Sequence, residues 1–388
     1  MRILATSTPG RGHLNSLLPL LSVLQDAGHD VLVVTAAESC AFVERSGFAV
    51  REGGLAADER RGRYASRLAE TMALPPRQRR GRFYAGYFAD IAAPVMQIAL
   101  APVLQEFRPD VVVHETGELA AAPMAVARGI PHVTVAFSGM LPAESDDMVL
   151  EHLATVWAVE DLQVPTMDAV LGDLYLHPFP PAFGQAPLGD AVRPMRAEAV
   201  DRAVESSPPW LAELGLSRPL VYITSGTEPI AATAPWAAAF EAMGSFDIDV
   251  VATIGARLDT EVLGTVPGNI RVERFVPQQF VLDRAAVAVS HAGAGSLLGA
   301  ARHGLPQLLY PIVADQWQNA DAAAGAGVGI VLELDQRSAE DLAAALDRLL
   351  REEAFKITAS HVGGEIAAMP APADHVAAIE ALAERRST

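Results

Sequence analysis

A short apolar strand, a glycine-rich turn and a helix follow one another in the second half of the chain, and this unit constrains the fold most. Ala285–Ser290 is an apolar run typical of a buried strand. The turn His291–Ser296 contains Gly293 and Gly295, and the helical pattern Leu297–His303 ends at a Gly-Leu-Pro break. This order aims backbone N–H groups and the positive end of a helix dipole at an anion. The sequence therefore predicts an α/β sheet with an anion site at the carboxyl end of this strand.

Further features follow this unit in order along the chain. They are the break Gly304-Leu305-Pro306, a second short strand at Gln307–Tyr310 and the polar run Asp315-Gln316-Trp317-Gln318-Asn319. The turn matches neither G-x-G-x-x-G nor G-x-x-x-x-G-K-[ST], and Lys356 is the only lysine, which argues against a P-loop NTPase. In this order the motifs resemble the donor signature of family 1 glycosyltransferases, the GT-B class. The resemblance is greatest to actinobacterial enzymes that glycosylate antibiotics and other natural products.

The resemblance implies an α/β protein of the GT-B fold. In that fold two Rossmann-like doubly wound domains face a cleft, and a C-terminal helix crosses back to the first domain. A length of 388 residues suits two domains, because one hydrophobic core rarely grows to that size. We expect an acceptor-binding domain over residues 1–205, a nucleotide-sugar-binding domain over 206–373 and the crossing helix over 374–388. The proline-rich segment Pro178–Pro219 would link the two domains.

Each half of the chain opens with a strand, a loop and a helix. In the first half these are Met1–Thr6, Ser7–His13 and Leu14–Ala27, and a strand at Val31–Thr35 follows, so a parallel sheet is predicted. The other predicted strands are Asp110–His114, His132–Ala136, Leu220–Thr224, Val250–Ile254 and Ile270–Glu273. The other predicted helices are Ser39–Ser46, Phe83–Phe107, Leu119–Arg128, Trp236–Met243, Leu282–Arg284, Ser338–Arg351 and Asp374–Arg385. Ser138–Gly184 is predicted to be irregular.

His13 is the candidate general base, because it follows a loop at the carboxyl end of the first strand and stands at a helix N-terminus. An imidazole accepts a proton near neutral pH, and a helix N-terminus disfavours its charged form. The position also matches the catalytic histidine of the family that the chain resembles. A carboxylate on the other ring nitrogen orients a base of this type. Glu115, just beyond a predicted strand, and Glu118 are the candidates for that carboxylate, and the sequence leaves the choice open.

The candidate donor site draws on several segments of the second half. The small-residue turn at Ser225 and the glycine-rich turn at His291 would offer backbone N–H and side-chain groups to phosphate. The resemblance implies that Val276-Pro277-Gln278 reads a pyrimidine base through backbone groups, and that Asp315 and Gln316 hold sugar hydroxyls. The candidate donor residues are Ser225, Gly226, Thr227, Val276, Pro277, Gln278, His291, Gly293, Ala294, Gly295, Ser296, Asp315, Gln316 and Asn319.

No metal ion and no cofactor are expected. Asp247-Ile248-Asp249 spells D-x-D, the metal motif of the other nucleotide-sugar transferase architecture, but it directly precedes a predicted strand and has no supporting motif. Helix N-termini and His291 can stabilise a leaving diphosphate without a cation. The expected donor is a dTDP-sugar or a UDP-sugar, because nothing in the sequence distinguishes thymine from uracil.

Composition narrows the partners and the compartment. The formal net charge of −18 argues against a nucleic-acid partner, because phosphate backbones are bound by clustered Lys and Arg. Cys40 is the only cysteine, which excludes an intramolecular disulfide and suits a reducing cytoplasm. The chain begins with strand residues instead of a signal segment, and no apolar run approaches the roughly 20 residues that span a bilayer. We expect a cytoplasmic protein without membrane insertion, with a small lipophilic acceptor as partner and a homodimer as one possible assembly.

The resemblance implies an inverting transfer in which His13 deprotonates an acceptor hydroxyl as its oxygen displaces a nucleoside diphosphate. The habit of the family suggests a dTDP-deoxysugar donor and a polyketide-like or other natural-product acceptor. Two alternatives stay open. A GT-B nucleotide-sugar epimerase would need extra acids and no acceptor cleft. A non-catalytic binding or activator protein on the same scaffold could dispense with His13, its carboxylate and the phosphate turn.

Overall fold

The fold is that of a computed structural model, and its described residues form two compact units. The described residues are 1–139, 141, 145–164, 166–184, 189–198, 206–226, 233–255 and 258–386. The first unit comprises Met1–Pro178, Ala186–Val200 and Pro370–Thr388, and the second comprises Phe179–Gln185 and Asp201–Met369. The return of the C-terminal segment to the first unit confirms this part of the predicted fold class.

An all-parallel sheet organises the first unit, with the strand order β3-β2-β1-β4-β5-β6-β7. Its strands are β1 (Arg2–Thr6), β2 (Asp30–Thr35), β3 (Ala49–Glu52), β4 (Val111–Glu115), β5 (His132–Val135), β6 (Leu174–His177) and β7 (Val192–Pro194). The neighbours β1 and β4 are far apart in sequence, and their register places Ile3 opposite Val111 and Thr6 opposite His114. The segments that follow both strands therefore leave the same edge of the sheet, where open α/β sheets bind ligands.

The strand sequences explain why this sheet is buried on both faces. β4 reads Val-Val-Val-His-Glu, and every residue of it is buried. Near-continuous β-branched runs of this kind suit parallel strands that helices cover on both sides. Glu115 was predicted just beyond this strand, but it is the last residue of β4. The strand itself therefore carries this carboxylate into the interior.

The helices of the first unit are α1 (Arg11–Asp26), α2 (Ala37–Arg45), α3 (Ala57–Met72), α4 (Arg79–Phe83), α5 (Ala93–Phe107), α6 (Ala121–Ala127), α7 (Asp146–Ala158) and α8 (Met167–Leu171). Helices α1 and α2 begin earlier than their apolar patterns indicate, whereas α6 begins later than the predicted Leu119. Gly10 precedes α1 with a φ of 139°, a conformation that suits glycine. The prediction of a loop up to His13 is thus wrong, because the first turn of α1 holds Arg11 and Gly12, which carry no apolar periodicity. His13 lies inside that turn.

One further prediction for the first unit is wrong, and another holds in part. The segment Ser138–Gly184 is not irregular, since it contains α7, α8 and β6. The chain passes between the two units inside the predicted linker Pro178–Pro219, but this segment also contributes β7 to the sheet. The buried residues of α7 include Val149, Leu153 and Val156, which follow helical spacing. Asp146 and Asp147 lie in the first turn of α7, where a helix dipole favours negative charge.

A continuous helical stretch, Pro76–Phe107, leads from α3 towards β4, and its middle, Tyr84–Ala92, is a π-helix. By length and composition alone it could cross a membrane, with a mean hydropathy of 1.5 over its most apolar window, so the expectation that no such run exists is wrong. However, 56% of that window is buried inside the protein. Tyr84, Phe88 and Met96 belong to the hydrophobic core of the first unit, which is typical of a core helix.

A second all-parallel sheet organises the second unit, with the strand order β10-β9-β8-β11-β12-β13. Its strands are β8 (Leu220–Thr224), β9 (Asp249–Thr253), β10 (Ile270–Glu273), β11 (Ala285–Ser290), β12 (Gln307–Leu309) and β13 (Gly329–Val331). Its helices are α9 (Trp236–Gly244), α10 (Gln278–Leu282), α11 (Ala294–Arg302), α12 (Gln316–Gly325), α13 (Ala339–Arg351) and α14 (Glu353–Ala368). This strand order is the Rossmann order, so the predicted pair of Rossmann-like domains is confirmed.

The sequence pattern located some helices of the second unit and missed others. Helix α13 forms close to its predicted bounds and begins with a capping box, in which Ser338 and Asp341 exchange hydrogen bonds. In contrast, α11 begins at Ala294 instead of Leu297, and α12 and α14 were not predicted. Both missed helices are rich in alanine and glycine, and such residues give little contrast between a polar and an apolar face.

The last helix, α15 (Val376–Arg386), packs in the first unit. Ile379 and Leu382 join the core that also contains Ile3 of β1. His29 Nε2 lies 3.0 Å from Glu380 Oε1, within hydrogen-bonding distance. Arg196 N–H donates to the carbonyl of Pro370 at 2.8 Å, just before α15. Both ends of the chain therefore complete one core.

Helix α14 supports α11, the helix that follows the glycine-rich turn, through a close contact at Gly363. A Cβ built on Gly363 would lie 3.1 Å from the carbonyl oxygen of Ala301 and 3.2 Å from the backbone nitrogen of Gly304. These are backbone atoms at the C-terminal end of α11 and cannot swing aside. A Cβ built on the adjacent Gly364 meets nothing within 4 Å.

We expect Gly363→Ala to have a free energy of unfolding about 1–3 kcal/mol lower than Gly364→Ala, because only the first variant forces the two helices apart. Both substitutions add the same helix propensity, so the second variant is a matched control. Urea unfolding of both variants and of the wild type measures the difference. Equal stability of the two variants would contradict the packing described for Gly363.

Candidate active site

His13 and Glu115 form a hydrogen-bonded pair at the carboxyl edge of the first sheet. His13 Nδ1 lies 3.1 Å from Glu115 Oε1. The Thr8 hydroxyl lies 3.0 Å from the same ring nitrogen and donates to Glu115 Oε1 at 2.5 Å, and the Thr8 N–H donates to that oxygen at 3.0 Å. The loop after β1, the first turn of α1 and the end of β4 therefore meet at one carboxylate oxygen. Of the two candidate acids, the structure brings Glu115 to His13.

Aromatic rings enclose the His13 imidazole. Its centroid lies 4.2 Å from that of Phe137, just after β5, and 5.7 Å from that of Phe88 in the π-helix. A Cβ built on Gly117 would lie 3.2 Å from His13 Cε1 and 3.0 Å from a ring carbon of Phe88. Glycine at position 117 therefore lets the backbone approach both rings. About one fifth of the His13 side chain, 20%, is exposed to solvent.

The surroundings of Glu115 favour its ionised form. Burial by itself would raise the pKa of this carboxyl. The charge of a protonated His13 and hydrogen bonds from His13, Thr8 and the backbone N–H of Gly117 outweigh burial, so the pKa lies below its ordinary value. Glu115 is therefore a carboxylate at neutral pH and can stabilise a positive charge on the imidazole.

Glu118 stands three residues further on, in the turn before α6, and has the opposite character. Burial raises its pKa to about 7. The Thr6 hydroxyl donates to Oε2 at 2.5 Å, the Ala120 N–H donates to Oε1 at 2.9 Å and the Ala121 N–H donates to Oε2 at 3.2 Å, which moderates the shift. The carboxylate of Glu115 adds to the rise. Glu118 thus keeps its proton up to neutral pH and serves the turn, not His13.

Two other histidines of the first unit are buried away from this pair. His114 Nε2 in β4 lies 3.1 Å from His132 Nδ1 in β5, and the rings are stacked. Burial lowers the pKa of His114 to about 3 and that of His132 to about 4. Both rings are therefore neutral at physiological pH and act as packed core groups.

The glycine-rich turn of the second unit holds a buried imidazole at the N-terminus of α11. Among the described residues, no hydrogen-bond partner is present for His291 Nδ1. A Cβ built on Gly226 would lie 2.9 Å from the His291 ring, and one on Gly293 would overlap it, so both glycines are needed for this ring to fit. Burial lowers the pKa of His291 to about 4, although the nearby carboxylate of Asp315 opposes the shift. A neutral ring nitrogen beside free helix N–H groups suits an anionic oxygen.

A tyrosine that follows β12 fixes the small-residue turn after β8. The Tyr310 hydroxyl donates to the Thr224 carbonyl at 2.9 Å and lies 2.8 Å from Ser225 Oγ. Gly226 has a φ of 74°, and its N–H donates to the Thr224 hydroxyl at 3.2 Å. Ser225 and Gly226 are therefore held at the same sheet edge as His291. Thr227, the third predicted residue of this turn, lies outside the described residues.

Asn319 joins the glycine-rich turn to the loop that carries Asp315. Its amide nitrogen donates to the Ala292 carbonyl at 3.0 Å and to Asp315 Oδ2 at 2.7 Å, and the residue is fully buried. Ala292 and Ala314, one in each loop, have φ angles of 63° and 56°, which L-residues seldom adopt. Backbone strain of this kind is typical of functional loops. The amide of Asn319 is thus part of what holds two strained loops together.

The remaining predicted donor residues also make contacts inside the second unit. Gln316 Oε1 accepts the N–H groups of Ile312 at 2.8 Å and Val313 at 3.0 Å, so a sugar contact from Gln316 would have to use its amide nitrogen. Gln278 Nε2 donates to the Gly295 carbonyl at 3.2 Å. Val276 is buried, Pro277 caps α10, and Ala294, Gly295 and Ser296 form the first turn of α11.

Both carboxylates of the D-x-D motif, Asp247 and Asp249, contact the guanidinium of Arg218. Arg218 lies 2.6 Å from Asp249 Oδ1 and 3.7 Å from Asp247 Oδ1, and the Gly215 N–H donates to Asp249 Oδ2 at 3.0 Å. A guanidinium therefore neutralises the carboxylates that a metal would need. In the described part of the chain, no cluster of three or more His, Cys, Asp or Glu side chains has metal-binding geometry.

Sequence reasoning missed Thr8, Phe137 and Tyr310 as site residues. Each stands one or two positions beyond the carboxyl end of a strand: β1, β5 and β12. The sequence could have indicated these residues, because loops that follow parallel strands converge at one edge of the sheet. Phe88 gave no comparable signal, since it reaches His13 from the π-helix, and a π-helix has no distinct apolar period in the sequence.

Comparisons with known proteins agree along nearly the whole chain. Residues 237–382 match the family model described as erythromycin biosynthesis protein CIII-like, C-terminal domain. Elloramycin glycosyltransferase ElmGT of Streptomyces olivaceus is 29% identical, over 96% of this chain and 95% of its own. The glycosyltransferase VinC, solved with dTDP, is 26% identical, with a TM-score of 0.80 over 99% of this chain and 100% of its own. The spinosyn rhamnosyltransferase SpnG, solved with spinosyn aglycone, is 25% identical, with a TM-score of 0.79 over 98% of this chain and 100% of its own.

The environment of Glu118 predicts a pH dependence of stability. Its pKa is about 7 in the folded protein and 4.5 for an ordinary glutamate, so the unfolded chain loses this proton at a lower pH. Stability from this group is therefore full below pH 4.5 and is lost as the pH rises towards 7, by roughly 3 kcal/mol at 1.36 kcal/mol per pKa unit. Glu118→Gln cannot ionise and removes the loss. We expect its free energy of unfolding, relative to wild type, to rise between pH 5 and pH 7.5.

Denaturant unfolding at several pH values measures this difference, and other titrating groups cancel because both proteins contain them. The exposed Glu384→Gln is the control and is expected to run parallel to the wild type. A Glu118→Gln curve that also runs parallel to the wild type would show that Glu118 is not a neutral buried acid.

Proposed function

We propose that this chain, a glycosyltransferase of the GT-B fold, transfers a sugar from a dTDP-sugar to a hydroxyl of a lipophilic natural product with inversion. Its C-terminal domain is erythromycin-CIII-like, and the chain is related to enzymes of antibiotic biosynthesis. The observation that carries this proposal is the His13–Glu115 pair, with 3.1 Å between Nδ1 and Oε1. A UDP-sugar is the alternative donor. The experiments below decide between the two.

The transfer is a single displacement. With Nδ1 directed at the Glu115 carboxylate, His13 Nε2 takes the proton of the acceptor hydroxyl as that oxygen attacks the anomeric carbon. The bond from the anomeric carbon to the diphosphate oxygen breaks at the same time, and its electron pair leaves with the nucleoside diphosphate. Glu115 stabilises the imidazolium that results, as the carboxylate does in other oriented histidine bases. Attack from the face opposite the leaving group inverts the anomeric centre.

The acceptor is proposed to be lipophilic because aromatic side chains surround the base. Phe137 and Phe88 contact the His13 ring, and Phe83 stacks on Tyr87 beside them, with 5.2 Å between centroids. Phe83 and Phe137 are half-buried, so part of each ring is available to a ligand. Apolar surface around one polar reactive group is typical of small-molecule sites. SpnG, which was solved with its aglycone, is a relative of the same fold.

The donor is proposed to bind through its diphosphate at the N-terminus of α11. His291, Ser225 and the first N–H groups of α11 would receive the phosphate oxygens, and Asp315 and the Gln316 amide would receive sugar hydroxyls. These groups can stabilise the leaving diphosphate without a cation, so no metal requirement is proposed. Thymidine is favoured over uridine because VinC and SpnG were solved with dTDP or thymidine diphosphate.

We expect His13→Ala to lower kcat by a factor of about 10²–10⁴, because general-base assistance contributes that much. Glu115→Gln is expected to lower kcat by at least about 10²-fold, since a neutral amide no longer stabilises the imidazolium. Binding of dTDP should be unchanged in both variants. The exposed His361→Ala serves as the control for loss of a histidine. Full turnover by His13→Ala would remove His13 from the mechanism.

Calorimetric titration of dTDP, UDP, ADP and NAD in the presence of EDTA tests the donor site. We expect micromolar binding of a pyrimidine nucleotide alone, with dTDP tighter than UDP. His291→Ala should weaken that binding about 10- to 100-fold, the effect of one hydrogen bond to a charged group. His303→Ala, at the other end of α11, is the control. A preference for NAD, or binding that EDTA abolishes, would overturn the proposed donor site or its metal independence.

Competing functions make different predictions in the same assays. A nucleotide-sugar epimerase would convert the donor without any acceptor, and an activator protein would bind neither donor nor acceptor productively. The presence of both His13–Glu115 and the His291 turn favours transfer over either alternative. We further propose that the enzyme works in the cytoplasm. A homodimer stays a prediction, which sedimentation analysis can test.

A further inference from the structure

The π-helix Tyr84–Ala92 contacts His13 and the turn that follows Glu115, through side chains to which the reaction itself assigns no part. We propose that this π-helix is the positioning element of the pair, with Tyr84 fixing the turn that holds Glu115 and Phe88 fixing the ring of His13. The inference rests on the proposed function in one respect only: it takes His13 to be the base whose orientation matters.

Tyr84 acts on Glu115 through the backbone. Its hydroxyl donates to the carbonyl of Thr116, the residue between Glu115 and Gly117. The N–H of Gly117 in turn donates to Glu115 Oε2, while Thr8 binds the other carboxylate oxygen. Each oxygen of the Glu115 carboxylate therefore accepts a hydrogen bond from a backbone N–H group, and the two N–H groups belong to different loops. Tyr84 fixes the loop on the Gly117 side, and it is a buried residue of the hydrophobic core.

Phe88 acts on His13 directly. It lies one helical turn beyond Tyr84, with 5.4 Å between the two ring centroids, and 5.7 Å from the His13 ring. The same ring limits the space at Gly117, where a Cβ would lie 3.0 Å from it. Phe88 thus contacts the base and packs against the turn that binds the acid.

The π-helix is anchored independently of the site. Asp90 lies 2.8 Å from His152 Nδ1 in α7 and 3.5 Å from a guanidinium nitrogen of Arg67 in α3. These contacts tie the helix to α3 and α7, which are not the elements that carry His13 and Glu115. A widened helical turn of this kind is frequent at functional sites, where it changes the direction in which side chains point.

Tyr84→Phe is the test, because it removes one hydroxyl and keeps the ring. We expect kcat to fall about tenfold, the effect of one net hydrogen bond on the active geometry, with KM changed by less than about twofold. A looser Glu115 stabilises the imidazolium less, so the pKa of His13, followed by NMR of labelled histidine, should fall by about half a unit or more. The acidic limb of the kcat profile should shift by the same amount. Tyr222→Phe removes another buried, hydrogen-bonded tyrosine hydroxyl, in the second unit, and is the matched control.

The outcomes separate this inference from the proposed function. A Tyr84→Phe enzyme with the wild-type kcat and the wild-type His13 pKa would overturn it. A loss of activity with an unshifted His13 pKa, or a loss equal to that of Tyr222→Phe, would make Tyr84 merely structural and overturn it as well. If His13→Ala keeps its turnover, the proposed function fails, while the NMR titration still decides whether Tyr84 orients the pair. If Tyr84→Phe does not fold, Phe88→Leu is measured in the same way.

Discussion

The parallel pairing of β1 with β4 is the constraint on which the candidate catalytic centre depends. The register of the two strands places His114 opposite Thr6. Glu115, the next residue, therefore lies at the sheet edge where the loop after β1 turns towards α1. Thr8 lies in that loop and closes the distance between His13 and Glu115 with its hydroxyl. A shift of one residue in this register would turn the carboxylate to the opposite face of the sheet. The position of His13 relative to Glu115 thus depends on strand pairing more than on the sequence near either residue.

The second unit uses the same edge with different chemistry. There the groups after β8, β11 and β12 converge, and they are glycines, a neutral histidine and a tyrosine instead of an ionised pair. The two histidines differ in their electrostatic environment. His13 has a carboxylate partner, whereas burial desolvates His291 and lowers its pKa. One scaffold therefore carries a histidine–carboxylate pair in one unit and a buried, neutral histidine in the other, because loops vary while strands do not.

The sequence predicted the two parallel sheets because β4, β8 and β11 are short apolar runs that carry their own signal. It also predicted His13, Glu115 and His291 as candidate site residues, since each stands at or near a strand end. The choice between Glu115 and Glu118 as the partner of His13 needed the register of β4. It could not predict α3, α12 or α14, whose alanine-rich or polar faces lack contrast. Nor could it show Phe88 against His13, because that contact depends on a π-helix and on packing between segments far apart in sequence. Thr8 and Tyr310 could have been found from their place after strands.

The first unit takes its core from both ends of the chain, since Ile379 and Leu382 of α15 pack with strand β1. During synthesis, the ribosome must make the whole of the second unit, Asp201–Met369, before α15 exists. At typical elongation rates that interval lasts roughly 10–30 s. The surface of the first unit that α15 will cover is exposed for that time, while the second unit can already fold. The unit that carries His13 and Glu115 is therefore begun first and completed last, and a chain cut short before α15 would leave its core incomplete.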